Sequence, residues 1–140
     1  MRVLLDTCVL SEIRKEHGSP RVRERVQAIR SEYLYLSVVT LGELSKGISL
    51  LGEGARRMEL QRWLLTLEQD YAERILPIDA ETARIWGEAT AAAQQAGKTV
   101  PACDGLIAAT AIQNGLYVMT RNVADFEPTG ARLINPWEDA

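Results

Sequence analysis

The sequence predicts an α/β fold in which helices cover both faces of a mostly parallel central sheet, and three observations carry that prediction. Apolar runs of strand length alternate with longer runs of helical periodicity almost from end to end, the pattern of strands joined by crossover helices. The first run, Val3-Leu4-Leu5, has no polar interruption, as a strand buried on both faces requires. Helix starts and stops separate the runs, with no repeat, low-complexity stretch or linker among them. At 140 residues, one domain over 1–140 accounts for the chain, a size that buries roughly 70% of its unfolded surface.

Taken in order, the first strand ends at Asp6, where a parallel sheet presents its ligand-binding edge. Residues 9–15 read as a short helix, with Val9 and Ile13 one turn apart. His17-Gly18-Ser19-Pro20 stops it and starts the next, with Ser19 as N-cap and Pro20 at the first helical position. That helix runs over 21–31, with an apolar face of Val22, Val26 and Ile29 ringed by Arg21, Arg23, Arg25 and Arg30. A strand over 33–37 follows, then helices over 39–51 and 55–71, the second burying Leu60, Trp63, Leu64 and Leu67. Residues 74–78 form a short strand that Pro77 ends. Asp79 caps a helix over 80–96, Gly97 closes it, and a small-residue helix over 104–112 sits close to the sheet. Strands over 116–120 and 132–134 complete the sheet before the tail Asn135-Pro136-Trp137.

Composition narrows the function. Apolar residues make up 46% and charged residues 25%, ordinary for a globular domain. No apolar run approaches the ~20 residues of a membrane span, and the start lacks a signal-peptide pattern, so the expected compartment is the cytoplasm. Two cysteines, Cys8 and Cys103, lack zinc spacing and are expected as free thiols. The net charge of −3 argues against a surface that binds nucleic acid non-specifically. Any role on RNA then rests on local arginines, a bound metal or a partner.

The only histidine, His17, lies in a charged Gly/Pro loop, so Ser-His-Asp and Cys-His catalysis lack a base. No phosphate-cradling glycine loop follows a strand. Acids at element ends remain: Asp6 after the first strand, Glu43 early in the helix after the second, Asp104 opening the helix before the fourth, and Asp125 beyond it, past Thr120-Arg121-Asn122. Carboxylates gathered at one sheet edge repel one another, and a hard divalent cation with oxygen ligands, Mg²⁺ or Mn²⁺, relieves that repulsion. Such an ion supports phosphodiester hydrolysis without histidine. Each acid also has a purely structural reading. Asp6 can be an N-cap, Glu43 can close a capping box with Thr40, Asp104 can favour a helix dipole, and Asp125 can close an Asx turn.

Several ordered stretches then resemble one family. They are Leu5-Asp6-Thr7 with Ser11-Glu12; Leu36-Ser37 through Thr40 to Glu43-Leu44 and Gly47; Arg74-Ile75-Leu76-Pro77; Asp104-Gly105-Leu106-Ile107-Ala108-Ala109-Thr110-Ala111; Thr120-Arg121-Asn122 with Asp125-Phe126; and Asn135-Pro136-Trp137. Together they resemble the PIN-domain ribonucleases, and within them the VapC-type toxins of bacterial toxin–antitoxin pairs, FitB-like members included. The resemblance implies a three-layer α/β/α PIN-like fold and a Mg²⁺- or Mn²⁺-dependent endoribonuclease acting on tRNA or rRNA. It implies Asp6, Glu43 and Asp104 as the central acids and metal ligands, Asp125 as the fourth, and Thr7, Thr120 and Asn122 in support. It further implies a homodimer and a cognate VapB-type antitoxin, through which alone operator DNA would be met. Arg21, Arg23, Arg25 and Arg121 are the expected RNA contacts, and Val22, Val26 and Ile29 are either an antitoxin groove or ordinary core.

Three departures stand out. Cys8 replaces the Asn that often follows the Asp-Thr pair. Asn122 stands where some relatives carry the fourth acid, leaving that ligand open between Asn122 and Asp125. Cys103 before Asp104 has no physical account. The competing readings are a non-catalytic PIN-like binding module and a small phosphatase, the latter weakened because Cys8 stands where its second acid belongs.

Overall fold

The computed structural model describes residues 1–138; the last two residues of the expected domain lie outside the described ones. Strands β1 (Val3–Leu5), β2 (Leu34–Ser37), β3 (Ile75–Leu76), β4 (Tyr117–Met119) and β5 (Leu133–Ile134) form one sheet in the order β3-β2-β1-β4-β5. Every neighbouring pair is parallel, with Val3 beside both Leu34 and Tyr117. The helices are α1 (Thr7–Arg14), α2 (Pro20–Gln27), α3 (Val38–Ser49), α4 (Ala55–Asp70), α5 (Ala80–Gln95), α6 (Ala102–Asn114) and α7 (Val123–Phe126). No helix among the described residues is long and apolar enough to cross a membrane.

Alternation along β1 explains the layering. Val3 and Leu5 point into one core with Val9, Leu10, Val22, Val26, Leu44 and Leu67, from α1 to α4. Leu4 points into the other, with Ile107, Ala108, Ala111, Val118 and Phe126. Both faces of the strand are therefore covered, as its unbroken apolar run requires. The sequence order reverses at β1, since β2 and β3 lie on one side and β4 and β5 on the other. Connections diverge there and open a crevice at the C-terminal ends of β1 and β4.

The boundaries differ from expectation at places with identifiable causes. Helix α2 ends at Gln27 instead of 31, because a 3₁₀ turn over Ser31–Tyr33 swings the chain into register beside Val3. Val22 and Val26 belong to the core and Ile29 packs against it, so that face is core, with only Val26 reaching the wall of a groove of about 310 Å³. Strand β2 runs straight into α3, whose N-cap is Ser37, its Oγ accepting from the Val39 N–H at 3.0 Å. Thr40 is thus inside the helix, and its capping box with Glu43 does not form. Strand β3 has two residues, and the four-residue helix α7 occupies a stretch read as turn.

Candidate active site

Asp6 anchors the crevice. It is 3% exposed, and its backbone N–H donates to the Met119 carbonyl at 3.0 Å, extending the β1–β4 pairing. One carboxylate oxygen caps α1 by accepting from the Thr7 N–H at 2.8 Å. The other accepts the Thr120 hydroxyl at 2.8 Å and the Cys8 thiol at 3.6 Å. Cap and site residue are therefore the same side chain, its oxygens aimed by the ends of two strands.

Second contacts spread from this centre. The Thr7 hydroxyl donates to Glu43 Oε1 at 2.7 Å, tying α1 to α3 and fixing where that acid stands. The Thr120 hydroxyl also accepts the Asn122 N–H at 2.9 Å, so Asn122 contributes backbone to the network. Cys8 Sγ lies 3.7 Å from the Thr120 hydroxyl and accepts the Arg121 N–H at 3.4 Å. The thiol thus joins the network through weaker sulfur contacts. Its burial, with Asp6 close by, pushes its titration up, so it stays protonated near neutral pH. Both cysteines are free.

Asp104 carries the electrostatic signature. It stands in the first turn of α6, yet its carboxyl is pushed up to about 6, first by burial and then by the charges of Asp6, Asp125 and Glu43. The four acids therefore share one field, and burial together with that repulsion outweighs the helix dipole at Asp104. Asp125, in the first turn of α7, is among the groups acting on Asp104, and Asn122 brings no charge. Among the described residues, no group of three or more His, Cys, Asp or Glu side chains is arranged to hold a metal ion. The donor chemistry is oxygen only, which suits a hard divalent cation that keeps several waters.

The arginines divide. Arg23 donates to the Lys15 carbonyl at 2.8 Å, Arg21 to that of Trp137 at 3.3 Å, and Arg25 to that of Glu138 at 3.1 Å. Arg121 lies over the Trp137 ring, 5.2 Å from its centroid. Ser11, part of a family-like stretch but given no role from sequence, and Arg14, not singled out there, line a groove of about 300 Å³ with Thr7, Glu43 and Trp63. Their spacing from Thr7, four and seven residues, was the available signal, since it marks one helix face.

Comparison with known proteins places the fold in a family. A VapC ribonuclease of Sinorhizobium fredii is 38% identical over 139 residues, 99% of each chain. The toxin FitB of Neisseria gonorrhoeae is 38% identical over 98% of this chain and 99% of its own. The solved structure of FitAB bound to a DNA fragment matches with a TM-score of 0.93 and 34% identity, over 99% of this chain and 97% of that one. The PIN domain family profile covers residues 3–127. Sheet order, crevice and sequence likeness lead to one assignment: the chain belongs to the PIN domain family.

Proposed function

We propose that this chain is a divalent-metal-dependent endoribonuclease, the toxin of a toxin–antitoxin pair, working as a single domain in the cytoplasm. The observation that carries this reading is the raised carboxyl of Asp104 in the combined field of Asp6, Glu43 and Asp125. Full-length likeness to a VapC ribonuclease and to the toxin FitB supports the ribonuclease and toxin roles. The FitAB–DNA structure supports a VapB-type antitoxin as partner, with operator DNA reached through it. A homodimer is part of the same reading.

Asp6, Glu43, Asp104 and Asp125 are the proposed ligands for Mg²⁺ or Mn²⁺, with Asp125 rather than Asn122 as the fourth because only it adds charge at Asp104. When bound, the cation supplies positive charge for the scissile phosphate and makes a water more acidic. The protein supplies orientation. Asp6 is held by the Thr7 N–H and the Thr120 hydroxyl, and Glu43 by the Thr7 hydroxyl, so neither pays ordering entropy when RNA arrives. Without metal, Asp104 keeps its proton below about pH 6 and releases it above, so on the acid side protons compete with the cation for this carboxyl.

Incubating purified protein with tRNA and rRNA tests the proposal. Cleavage with Mg²⁺ or Mn²⁺, its loss in EDTA and its recovery on adding metal back are expected. Cleavage that persists in EDTA, or an Asp104→Asn variant of native activity, contradicts it.

A further inference from the structure

Parallel pairing brings the end of β5 to the same edge as Asp6. The Thr120 N–H donates to the Ile134 carbonyl at 2.9 Å, so the segment after β5 leaves the sheet beside the residue that binds Asp6. Asn135 then turns it: its side-chain oxygen accepts the Trp137 N–H at 3.0 Å and its carbonyl the Glu138 N–H at 3.2 Å. Arg21 and Arg25 of α2 take the carbonyls of Trp137 and Glu138. The Trp137 side chain packs against the core that α1 and α2 share. A tryptophan near the end of a chain is thereby fixed by a turn, two guanidinium groups and apolar packing.

What this fixed ring holds is Arg121. Its backbone is pinned between Thr120 and Asn122 by the N–H contact to Cys8, and its Cζ sits 5.2 Å from the ring centroid. Among the described residues, no carboxylate closes an ion pair with Arg121 within 4.0 Å; the Glu12 carboxylate acts on it from farther off while accepting the Ser19 N–H and pairing with Lys15. An arginine laid on an aromatic face keeps its edge N–H groups for a planar anion, and the ring restricts its rotamers in advance.

We propose, building on the ribonuclease reading, that Trp137 is a positioning residue that holds Arg121 as the clamp for an RNA phosphate flanking the cut. Arg21 and Arg25 act through the tail carbonyls rather than on RNA. The cluster is a relay from α2 through the C-terminal turn to the rim of the acid crevice. It adds cationic recognition to a chain of net charge −3 without placing a cation among the acids.

The test is cleavage of total cellular RNA in Mn²⁺ at several salt concentrations by the native chain, Arg121→Ala, Trp137→Leu, Trp137→Phe and the Arg121→Ala/Trp137→Leu double variant. Leucine keeps apolar volume without the ring face, phenylalanine keeps the face, and melting curves report on folding. Arg121→Ala is expected to raise the apparent KM about tenfold with kcat nearly unchanged, and to reduce the log–log salt slope by about 0.7, one single-strand phosphate. Trp137→Leu is expected to reproduce both effects, Trp137→Phe to keep KM and salt slope close to native, and the double variant to be no worse than Arg121→Ala alone. A native KM and salt slope in Trp137→Leu, or effects that simply add, overturn the positioning role alone. Failure of the native chain to cleave RNA overturns the nuclease reading and this proposal with it.

Discussion

At the scale of single residues, the site is a set of acids separated by what each touches. Asp6 accepts from three donors, Glu43 from one, and Asp104 sits among negative charges. Unfolding returns Asp104 to its ordinary value of 3.8 from about 6. Between those values the native state binds more protons than the unfolded state, so stability falls as pH rises through the window and the loss is complete above it. Metal-free Asp104→Asn is therefore expected to melt about 2–4 °C above the native chain at neutral pH, with the gap closing as pH falls to about 4. Thermal melts in EDTA check this, and a gap independent of pH would refute it. In the activity assay the same substitution, like Asp6→Asn, is expected to lower RNA cleavage at least ~100-fold while the fold persists.

At the scale of elements, two helix starts set the geometry. Ser37 caps α3, so Ser37→Ala is expected to cost about 1 kcal/mol in a denaturant melt. Thr40 is fully buried and its hydroxyl has no partner among the described residues. Its first-turn position places the carbonyl four residues back in β2, whereas Thr110 in α6 reaches that of Leu106. Thr40→Val is then expected to be neutral or stabilising; a loss as large as that of Ser37→Ala would restore the capping-box reading. Helix α6 lies so close to α5 that a Cβ on Gly105 would come within 2.9 Å of the Trp86 indole. Gly105→Ala is expected to destabilise by about 1 kcal/mol or more and to reduce cleavage by shifting the turn that carries Asp104. Stability and activity measured together check it, and native values of both would show that Trp86 yields freely.

At the scale of the whole molecule, strand and helix identities were legible because each strand alternates between two cores and each long helix carries an apolar stripe. Asp6 and Asp104 were legible as acids at a strand end and a helix start, and Glu43 as an acid in the helix that follows β2. Contacts between distant segments were not, because no local pattern encodes them. The contact of the Cys8 thiol with Thr120, the hold of Thr7 on Glu43, and the capture of Trp137 by α2 all depend on how the elements are ordered in the fold. Arg21, Arg23 and Arg25 read as a basic face, yet in the fold each reaches a backbone carbonyl. The order β3-β2-β1-β4-β5 places its reversal at Asp6 and Thr120, and that one topological fact gathers acids from four separate segments.

That gathering is the central claim, and Mn²⁺ binding measured by calorimetry on the native chain and on Asp104→Asn tests it most directly. One shared site predicts measurable binding to the native chain, proton release near pH 6 as Asp104 ionises, and affinity at least ~10-fold weaker in the variant, a difference of about 1.4 kcal/mol. Equal Mn²⁺ affinity in the two proteins, with no proton release, would contradict it.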